Sequence, residues 1–343
     1  MEHLWLWTRF AAASLLIVLA GSRLSRYADV FSEKLRLGHV FVGMIFLGWI
    51  TSLPELVLSL GSTIYVGEPD LAIGNVLGSC LFNLIILVVV DIIILGGLFF
   101  TRTSMSSLTT GLVSMLMLLT AAAGLQAGSA NAPTWVTAPA GLHMDLFSWL
   151  IILFYLGSTA YLYILDRRKE KQLESSDEPL KYADTKIAGV VLASVLATAV
   201  IVGAGLYLAN IGDEIAATYS IAHSFVGTLF FAVVSSLPEL TTTIAAARLG
   251  FLDMSLGNIF GSNIFNIMII GVSDAFYTKG SIFASPETHN RSHLFVALFA
   301  IVATVAVVCG LKGKSGRLFW RVSIISIIVA ICYFAGLILN YAW

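Results

Sequence analysis

The chain contains 343 residues, of which 58% are hydrophobic and 11% are charged, and its formal net charge is −1. A soluble domain carries about 25% charged residues, so this composition excludes an ordinary soluble fold and is typical of a membrane protein. The balanced charge, with no basic patch, gives no indication of nucleic-acid binding. Cys80, Cys309 and Cys332 lie scattered in apolar segments and fit neither a disulfide framework nor a zinc site.

Ten apolar segments are long enough to be membrane spans, because a spanning helix needs about 20 mostly apolar residues. In chain order these predicted spans are 5–21, 38–66, 71–99, 104–125, 146–165, 186–209, 218–247, 254–276, 292–311 and 319–340. The N-terminus has no basic stretch followed by a small-residue cleavage site, so the first span is predicted to be retained. The polar segment 22–37 is expected to lie along the membrane surface as an amphipathic linker.

Lysine and arginine predict the orientation, because the cytoplasmic segments of membrane proteins are enriched in them. With both termini outside, 16 of the 19 basic residues fall on the cytoplasmic side, and only Arg9, Lys279 and Arg291 do not. We therefore expect a multi-pass membrane protein with both termini outside and a charged cytoplasmic linker at 166–185.

The two halves of the sequence repeat. Residues 52–56 and 236–240 both read Ser-Leu-Pro-Glu-Leu, and each is followed by a Gly-Asn…Gly-Ser…Phe-Asn element, at 74–83 and 257–266. Five spans per copy is an odd number, so the second copy must enter the membrane in the opposite sense, as in secondary transporters. The predicted fold is an all-α polytopic membrane protein of about ten helices in two inverted five-helix repeats. Its parts are residues 1–165 with the first motif at 43–83, the linker 166–185, and residues 186–343 with the second motif at 227–266.

Each motif places a glutamate directly after a proline inside a span. Pro54 and Pro238 remove backbone donors, and the carbonyls that they free must find another partner in lipid. A buried glutamate without a basic partner indicates a bound cation or proton. The candidate ligands are all oxygen, which favours hard cations such as calcium, magnesium or sodium. They are Glu55, Thr51, Ser52, Ser79 and Asn83 from the first half, and Glu239, Ser235, Ser236, Ser262 and Asn266 from the second.

Several other polar residues in or beside the spans are given lesser roles. His39 and His223 match in the repeat and begin the motif helices; each is an interfacial residue or a pH-sensitive one near a mouth. Asp91 and Asp274 are expected to have a structural or entrance role. The acidic residues at the starts of spans three and eight are expected to cap those helices. These are Glu68, Asp70 and Asp253.

At these motifs the sequence resembles the cation/calcium exchanger superfamily and looks closest to its prokaryotic sodium/calcium exchangers, which carry two so-called alpha repeats. The resemblance implies exchange of several sodium ions for one calcium by alternating access, with the first and sixth spans sliding outside a central core. It also implies location in a prokaryotic plasma (inner) membrane. Glu55 and Glu239 would bridge calcium with the carbonyls of Thr51 and Ser235. One sodium would use the Gly48 carbonyl with Thr51, Ser52, Glu55 and Ser79. A second would use the Ala232 carbonyl with Ser235, Ser236, Glu239 and Ser262, and Asn83 and Asn266 would line the middle position.

Three positions depart from the family's pattern. Cys80 stands where asparagine is usual, and Ser235 where threonine is common. Asn266 stands where potassium-dependent relatives carry an acid, so potassium dependence is not expected. The formal charge of the site is then −2, which one calcium ion neutralises, and the sodium stoichiometry stays open.

Alternative functions remain beside sodium/calcium antiport. Buried carboxylates can carry protons, so a proton-coupled calcium or magnesium antiporter of the same fold is the first rival. An intramembrane enzyme is disfavoured because no metalloprotease pattern or nucleophile–base pair is present. A non-transporting structural protein would leave two buried glutamates unexplained. The expected partners are calcium and sodium ions and membrane lipid, with no cofactor, nucleic acid or protein partner.

Overall fold

The structure is a computed structural model that describes most of the chain. The described residues are 2–34, 48–94, 96, 98–102, 107–129, 144–170, 182, 185–285, 288–313, 316–319 and 322–342. All twelve predicted site residues are among them, whereas His39 and most of the predicted linker 166–185 lie outside.

The described residues are almost entirely helical. In chain order the helices are α1 (Glu2–Lys34), α2 (Gly48–Thr51), α3 (Leu53–Gly61), α4 (Pro69–Val89), α5 (Phe99–Arg102), α6 (Ser107–Ser129), α7 (Leu146–Glu170), α8 (Ile187–Tyr219), α9 (His223–Phe225), α10 (Ala232–Ser235), α11 (Leu237–Arg248), α12 (Leu252–Phe276), α13 (Asn290–Gly313) and α14 (Ile324–Ala342). Wider π-helical turns continue three of these helices, at Ser62–Val66, Val90–Ile94 and Val226–Phe231. Two short antiparallel strands, β1 (Arg317–Phe319) and β2 (Val322–Ser323), precede α14.

The helices have the length and composition of membrane spans. By these two criteria, seven described helices could cross a membrane, and a bent pair, His223–Ser235 with Leu237–Arg248, makes an eighth. The shorter apolar helices Leu53–Val66 and Leu146–Leu162 fall within the predicted spans 38–66 and 146–165. The protein is therefore a polytopic helical membrane protein, as predicted.

Two predicted segments differ from the structure. Residues 22–34 do not form a separate surface linker, because α1 continues as one helix to Lys34. No proline interrupts residues 22–34, so nothing in the sequence ends the helix there. Gly21, just before this stretch, packs against Pro238. The last span begins later than predicted, at Ile324, since residues 317–323 contain the short hairpin.

The helices α4 and α12 form the centre of the molecule, whereas α1 and α8 lie at its periphery. In the most apolar window of each, 67% of α4 and 78% of α12 is buried, against 28% for α1 and 22% for α8. Glycines let α4 approach the second motif closely. A Cβ on Gly74 would lie 2.5 Å from the Ser224 carbonyl oxygen, and one on Gly227 would lie 2.5 Å from the Leu71 carbonyl oxygen.

The paired aspartates have the structural role that was one of their predicted alternatives. Asp91 accepts hydrogen bonds from the Phe99 amide at 2.9 Å and the Ser326 hydroxyl at 2.6 Å. Asp274 accepts them from the amides of Asp145 at 2.7 Å and Ile282 at 2.8 Å. Each carboxylate thus satisfies one amide of the chain that follows its helix, and Asp274 also satisfies the Asp145 amide just before α7.

The predicted capping of α4 is wrong. Glu68 occupies the N-cap position, but it makes no side-chain cap hydrogen bond. Asp70 instead accepts a hydrogen bond from the His289 amide at 2.7 Å, at the start of α13. No side-chain cap hydrogen bond begins α12 either, where Asp253 lies in the first turn. Tertiary contacts therefore use Glu68 and Asp70, which the local sequence would assign to the cap of α4.

Candidate cation site

The two motifs break their helices at the same point. Between α2 and α3 the chain turns at Ser52 (φ −87°, ψ 12°), and between α10 and α11 at Ser236 (φ −87°, ψ 5°). In each case the second helix begins with a Leu-Pro-Glu sequence, whose proline is tolerated in a first turn because that amide needs no partner. Glu55 and Glu239 therefore lie in the first turns of α3 and α11, where the helix dipole favours negative charge.

Both glutamates are completely buried, and the serine at each break bonds the glutamate of the other half. The Ser236 hydroxyl donates to Glu55 Oε1 at 2.8 Å, and the Ser52 hydroxyl donates to Glu239 Oε1 at 2.8 Å. Among the described residues, no lysine or arginine forms an ion pair with either carboxylate. The two halves thus meet at a pair of buried acids that protein cations do not neutralise.

The remaining predicted oxygens form one group on each side of this pair. Ser79 Oγ lies 3.4 Å from Ser235 Oγ, and both hydroxyls are 3.5 Å from the Ala232 carbonyl oxygen. On the other side, Thr51 Oγ1 lies 3.3 Å from Ser262 Oγ and 3.4 Å from the Gly48 carbonyl oxygen.

These contacts correct the grouping that the family resemblance implied. Ser79, Ser235 and Ser236 surround Glu55, whereas Thr51 and Ser52 surround Glu239. The oxygens had been expected to combine with the glutamate of their own half of the motif. Because the broken helices of the two halves cross at their breaks, the hydroxyls at each break face the carboxylate of the other half. Ser79 and Ser262 stay with the glutamates of their own halves, as expected.

The two asparagines that were predicted to line the middle differ in their surroundings. Asn83 donates its amide to Asn263 Oδ1 at 2.9 Å, and Asn263 in turn donates to the Cys80 carbonyl oxygen at 3.0 Å. Cys80 occupies the position in the first half that Asn263 has in the second. A thiol accepts hydrogen bonds only weakly, and neither amide atom of Asn266 has a hydrogen-bond partner among the described residues.

The site presents several buried polar atoms without hydrogen-bond partners among the described residues. They include Glu55 Oε2, Glu239 Oε2 and Asn83 Oδ1, besides both amide atoms of Asn266. Buried polar atoms normally find a partner, so each unsatisfied one requires an explanation. Carboxylate, hydroxyl and carbonyl oxygens with spare lone pairs are the ligands of hard cations such as calcium and sodium.

Two further asparagines support the site and were not singled out from the sequence. Asn75 donates to the Glu55 carbonyl oxygen at 3.1 Å and accepts from Ser235 Oγ at 3.2 Å. Its repeat counterpart Asn258 donates to the hydroxyls of Thr242 at 3.1 Å and Thr243 at 2.9 Å. The matching Gly-Asn pairs of the two motifs were the available signal, because glycine allows a close approach and asparagine then ties the helices together.

The sequence profile of the family described as "Sodium/calcium exchanger protein" matches residues 5–164 and 189–339. Inner membrane protein YrbG of Escherichia coli is 28% identical over 292 residues, which are 84% of each chain. Sodium/calcium exchanger MaX1 of Methanosarcina acetivorans is 43% identical over 84 residues, or 24% of each chain.

Solved structures have the same fold. The sodium–calcium exchanger NCX_Mj superposes with a TM-score of 0.56 at 19% identity, over 96% of each chain. The H+/Ca2+ exchanger CAX superposes with a TM-score of 0.63 at 13% identity, over 98% of this chain and 88% of that one. At these identities the likeness establishes the architecture alone.

Proposed function

This chain belongs to the sodium/calcium exchanger protein family, and from that premise we propose that it exchanges sodium for calcium by alternating access at the Glu55/Glu239 site. It is a secondary ion exchanger rather than an enzyme, like its family and its structural neighbours. Calcium and sodium are its proposed transported ions, and no resident cofactor takes part.

One observation carries the proposal: two buried glutamates, each bonded by a serine of the opposite half, each keep one oxygen without a hydrogen-bond partner among the described residues. Leaving a buried carboxylate oxygen unpaired is costly, so a bound cation is the natural partner. A calcium ion between Glu55 and Glu239 neutralises the formal charge of −2. Both halves supply ligands to this ion. A movement of one half relative to the other, which opens the site to one side of the membrane, therefore changes the contacts of the ion with both halves.

Sodium is favoured as the coupling ion by the two groups of hydroxyl and carbonyl oxygens beside the glutamates. Ser79, Ser235 and the Ala232 carbonyl oxygen form one group, and Thr51, Ser262 and the Gly48 carbonyl oxygen form the other. A proton needs only a carboxylate, whereas a sodium ion needs several such oxygens around it. The names of MaX1 and NCX_Mj agree with sodium coupling.

Proton coupling is the second candidate function, because CAX is named an H+/Ca2+ exchanger and superposes over most of the chain. Two buried carboxylates can release calcium by taking up protons, with no change in the architecture. The hydroxyl groups would then be structural rather than ligands.

The test is uptake of radiolabelled calcium into proteoliposomes loaded with sodium, with potassium or with a low-pH buffer. We expect uptake with sodium inside and none with potassium alone. Glu55→Gln should abolish uptake because it removes one of the two charges that neutralise calcium. Thr63→Ala is the matched control, since its hydroxyl bonds only the Ser59 carbonyl oxygen, within the same helix.

The other results of this experiment are equally informative. Uptake driven by the low-pH interior without sodium would replace sodium by protons and keep the site. Unchanged uptake in Glu55→Gln would refute the site itself.

A further inference from the structure

Three side chains with metal-binding atoms meet outside the central site. Glu68 lies just before α4, Asp213 near the end of α8, and His223 at the start of α9. One donor atom from each lies within 4.8 Å of the other two, and all three residues are partly buried. We call these residues the Glu68 cluster; nothing in the proposed exchange reaction uses it.

The imidazole of His223 lies between the two carboxylates. Its Nε2 is 2.9 Å from Asp213 Oδ1, and its Nδ1 is 3.8 Å from Glu68 Oε2. A neutral imidazole has only one N–H group. When that group bonds Asp213, the lone pair of Nδ1 faces the negative charge of Glu68. A cation between Nδ1 and the Glu68 carboxylate converts this unfavourable contact into a favourable one.

The spacing suits a metal ion better than a direct hydrogen bond. The 3.8 Å between Nδ1 and Glu68 Oε2 is too long for a hydrogen bond. Two ligands of a tetrahedral zinc ion lie roughly 3.4 Å apart, because the metal–ligand bonds are about 2.0–2.2 Å. Asp213, bonded to the other ring nitrogen, would hold the ring in the tautomer that leaves Nδ1 free to bind, an arrangement common at metal-bound histidines.

We propose that the Glu68 cluster is a second cation site, which binds a transition-metal dication such as Zn2+. Imidazole nitrogen combined with carboxylate oxygen favours zinc and its neighbours over calcium or sodium. The site is also reachable from water, since the side-chain exposures of Glu68, Asp213 and His223 are 27%, 48% and 26%.

Metal binding here would connect the peripheral helix α8 to the centre of the molecule. Asp213 belongs to α8, whereas Glu68 and His223 begin the helices that carry the central site. Asp213 would hold the metal-binding ring through its hydrogen bond to Nε2, so a metal ion on Nδ1 would fix this contact and resist movement of α8 along its neighbours. This consequence rests on the proposed function: we infer that zinc bound at the Glu68 cluster slows calcium exchange.

The sequence makes the site specific to one end of the molecule. In the repeat alignment Asp213 and His223 match Asp29 and His39, but Phe251 stands at the position that matches Glu68. The other end therefore lacks the third donor. Zinc is expected to act from one side of the membrane.

The primary test is isothermal titration of the purified protein with ZnCl2 in the presence of saturating calcium. We expect one zinc site in the unaltered protein. His223→Gln removes the only nitrogen donor and should weaken zinc binding at least tenfold, since even a supporting partner of a metal ligand contributes roughly ten- to a hundredfold. Glu68→Gln should weaken it similarly.

Two controls separate this site from others. His289→Gln, which alters a histidine paired with a different aspartate, should keep zinc binding. Glu55→Gln should also keep it while losing calcium transport, so failure of the exchange function does not affect this measurement. Zinc binding that persists in His223→Gln, or that disappears in Glu55→Gln, would refute the proposal.

A second readout concerns transport. Zinc added to one side of proteoliposomes should slow calcium uptake by the unaltered protein and leave uptake by His223→Gln unaffected. Equal inhibition of both proteins would place the zinc effect elsewhere and overturn the inferred coupling to α8.

Discussion

At the residue scale, the central site depends on two acidic side chains that are buried without a lysine or arginine partner among the described residues. Glu55 and Glu239 are fully buried, and each receives one hydroxyl hydrogen bond from the opposite half. That bond fixes the carboxylate without neutralising it, and the second oxygen stays available. The same geometry in both halves gives an ion two equivalent anchors.

Cys80→Asn is predicted to stabilise the protein. In the second half Asn263 accepts from Asn83 and donates to the Cys80 carbonyl oxygen. In the first half the Cys80 thiol lies 3.7 Å from the Asn263 carbonyl oxygen, and Asn266 has no hydrogen-bond partner in the described structure. An asparagine of similar volume would supply the missing acceptor, and the new hydrogen bond should raise the free energy of unfolding by about 1 kcal/mol. Thermal unfolding in detergent should show a higher midpoint.

The reciprocal variant is the control for this prediction. Asn263→Cys leaves the Asn83 amide without its acceptor and should lower the unfolding midpoint. A lower midpoint for Cys80→Asn would mean that the two halves are not equivalent at this position.

At the element scale, the site depends on helices that are interrupted and closely packed. The breaks at Ser52 and Ser236 place hydroxyls and carbonyls at the centre of the molecule. π-Helical turns precede α10 and follow α3, and they widen the same two broken helices. Glycines of α4 then allow the second broken helix to pack directly against backbone.

Gly74→Val is predicted to prevent correct folding. A Cβ at Gly74 would meet the Ser224 carbonyl oxygen at 2.5 Å and the Thr228 amide nitrogen at 3.0 Å, and backbone atoms cannot move aside as a side chain can. We expect loss of monodisperse protein on size-exclusion chromatography. Gly203→Val in α8 is the matched control, because no described residue lies within 4 Å of its added Cβ. Equal losses for both variants would contradict the packing argument.

A contact between α4 and α13 predicts a pH-dependent stability. Asp70 bonds the His289 amide at 2.7 Å, contacts the His289 ring and lies 2.9 Å from His293 Nε2. The hydrogen bond and the charge of Asp70 raise the pKa of His289 above its ordinary value of 6.5. A raised folded-state pKa contributes stability that is complete below pH 6.5 and is lost as the pH rises through the folded value.

The measurement is the thermal midpoint as a function of pH. The unaltered protein should lose part of its stability above pH 6.5, and His289→Gln should lack that component. The gain is modest, because the His289 side chain is 53% exposed and solvent screens the pair. His3→Gln is the control at the N-terminus, and a pH profile that His289→Gln does not change would refute the assignment.

At the scale of the whole molecule, the two halves make reciprocal contacts around a common centre. Ser52 bonds Glu239 as Ser236 bonds Glu55, and Asp91 and Asp274 each bond the chain that follows their helix. The peripheral helices α1 and α8 pack along each other, and the Arg9–Glu214 ion pair joins them at 2.5 Å. A pair of helices with few buried residues around a well-buried centre is suited to the sliding that the family resemblance implies.

Both termini are predicted to lie on the external side of the membrane. The excess of lysine and arginine on the opposite side, 16 of 19 residues, is the physical basis. Alkaline phosphatase fused after Trp343 should be active, because this reporter works only outside, and a fluorescent protein fused there should stay dark. The reverse pattern would invert the topology and, with it, the side from which zinc is expected to act.

The sequence by itself determined the membrane class, the repeat and most of the residues that meet between the two glutamates. These features can be identified without knowledge of packing, because they are local properties of the sequence. They are the length of the hydrophobic spans, the two Ser-Leu-Pro-Glu-Leu motifs and the matching Gly-Asn elements. They also led to the family resemblance, which the match over residues 5–164 and 189–339 confirmed. The continuous α1 was missed, because polar composition was taken to end a helix that nothing in the backbone interrupts.

Only the tertiary structure decided which partners meet. Spacing along a helix fixes the face on which a residue lies, but the helix opposite that face is set by long-range packing. The serines at the two helix breaks therefore bond the glutamate of the other half, and Asn75 and Asn263 support the site. For the same reason, Asp70 contacts the start of α13 rather than capping α4. Glu68, just before α4, likewise lies next to His223 at the start of α9.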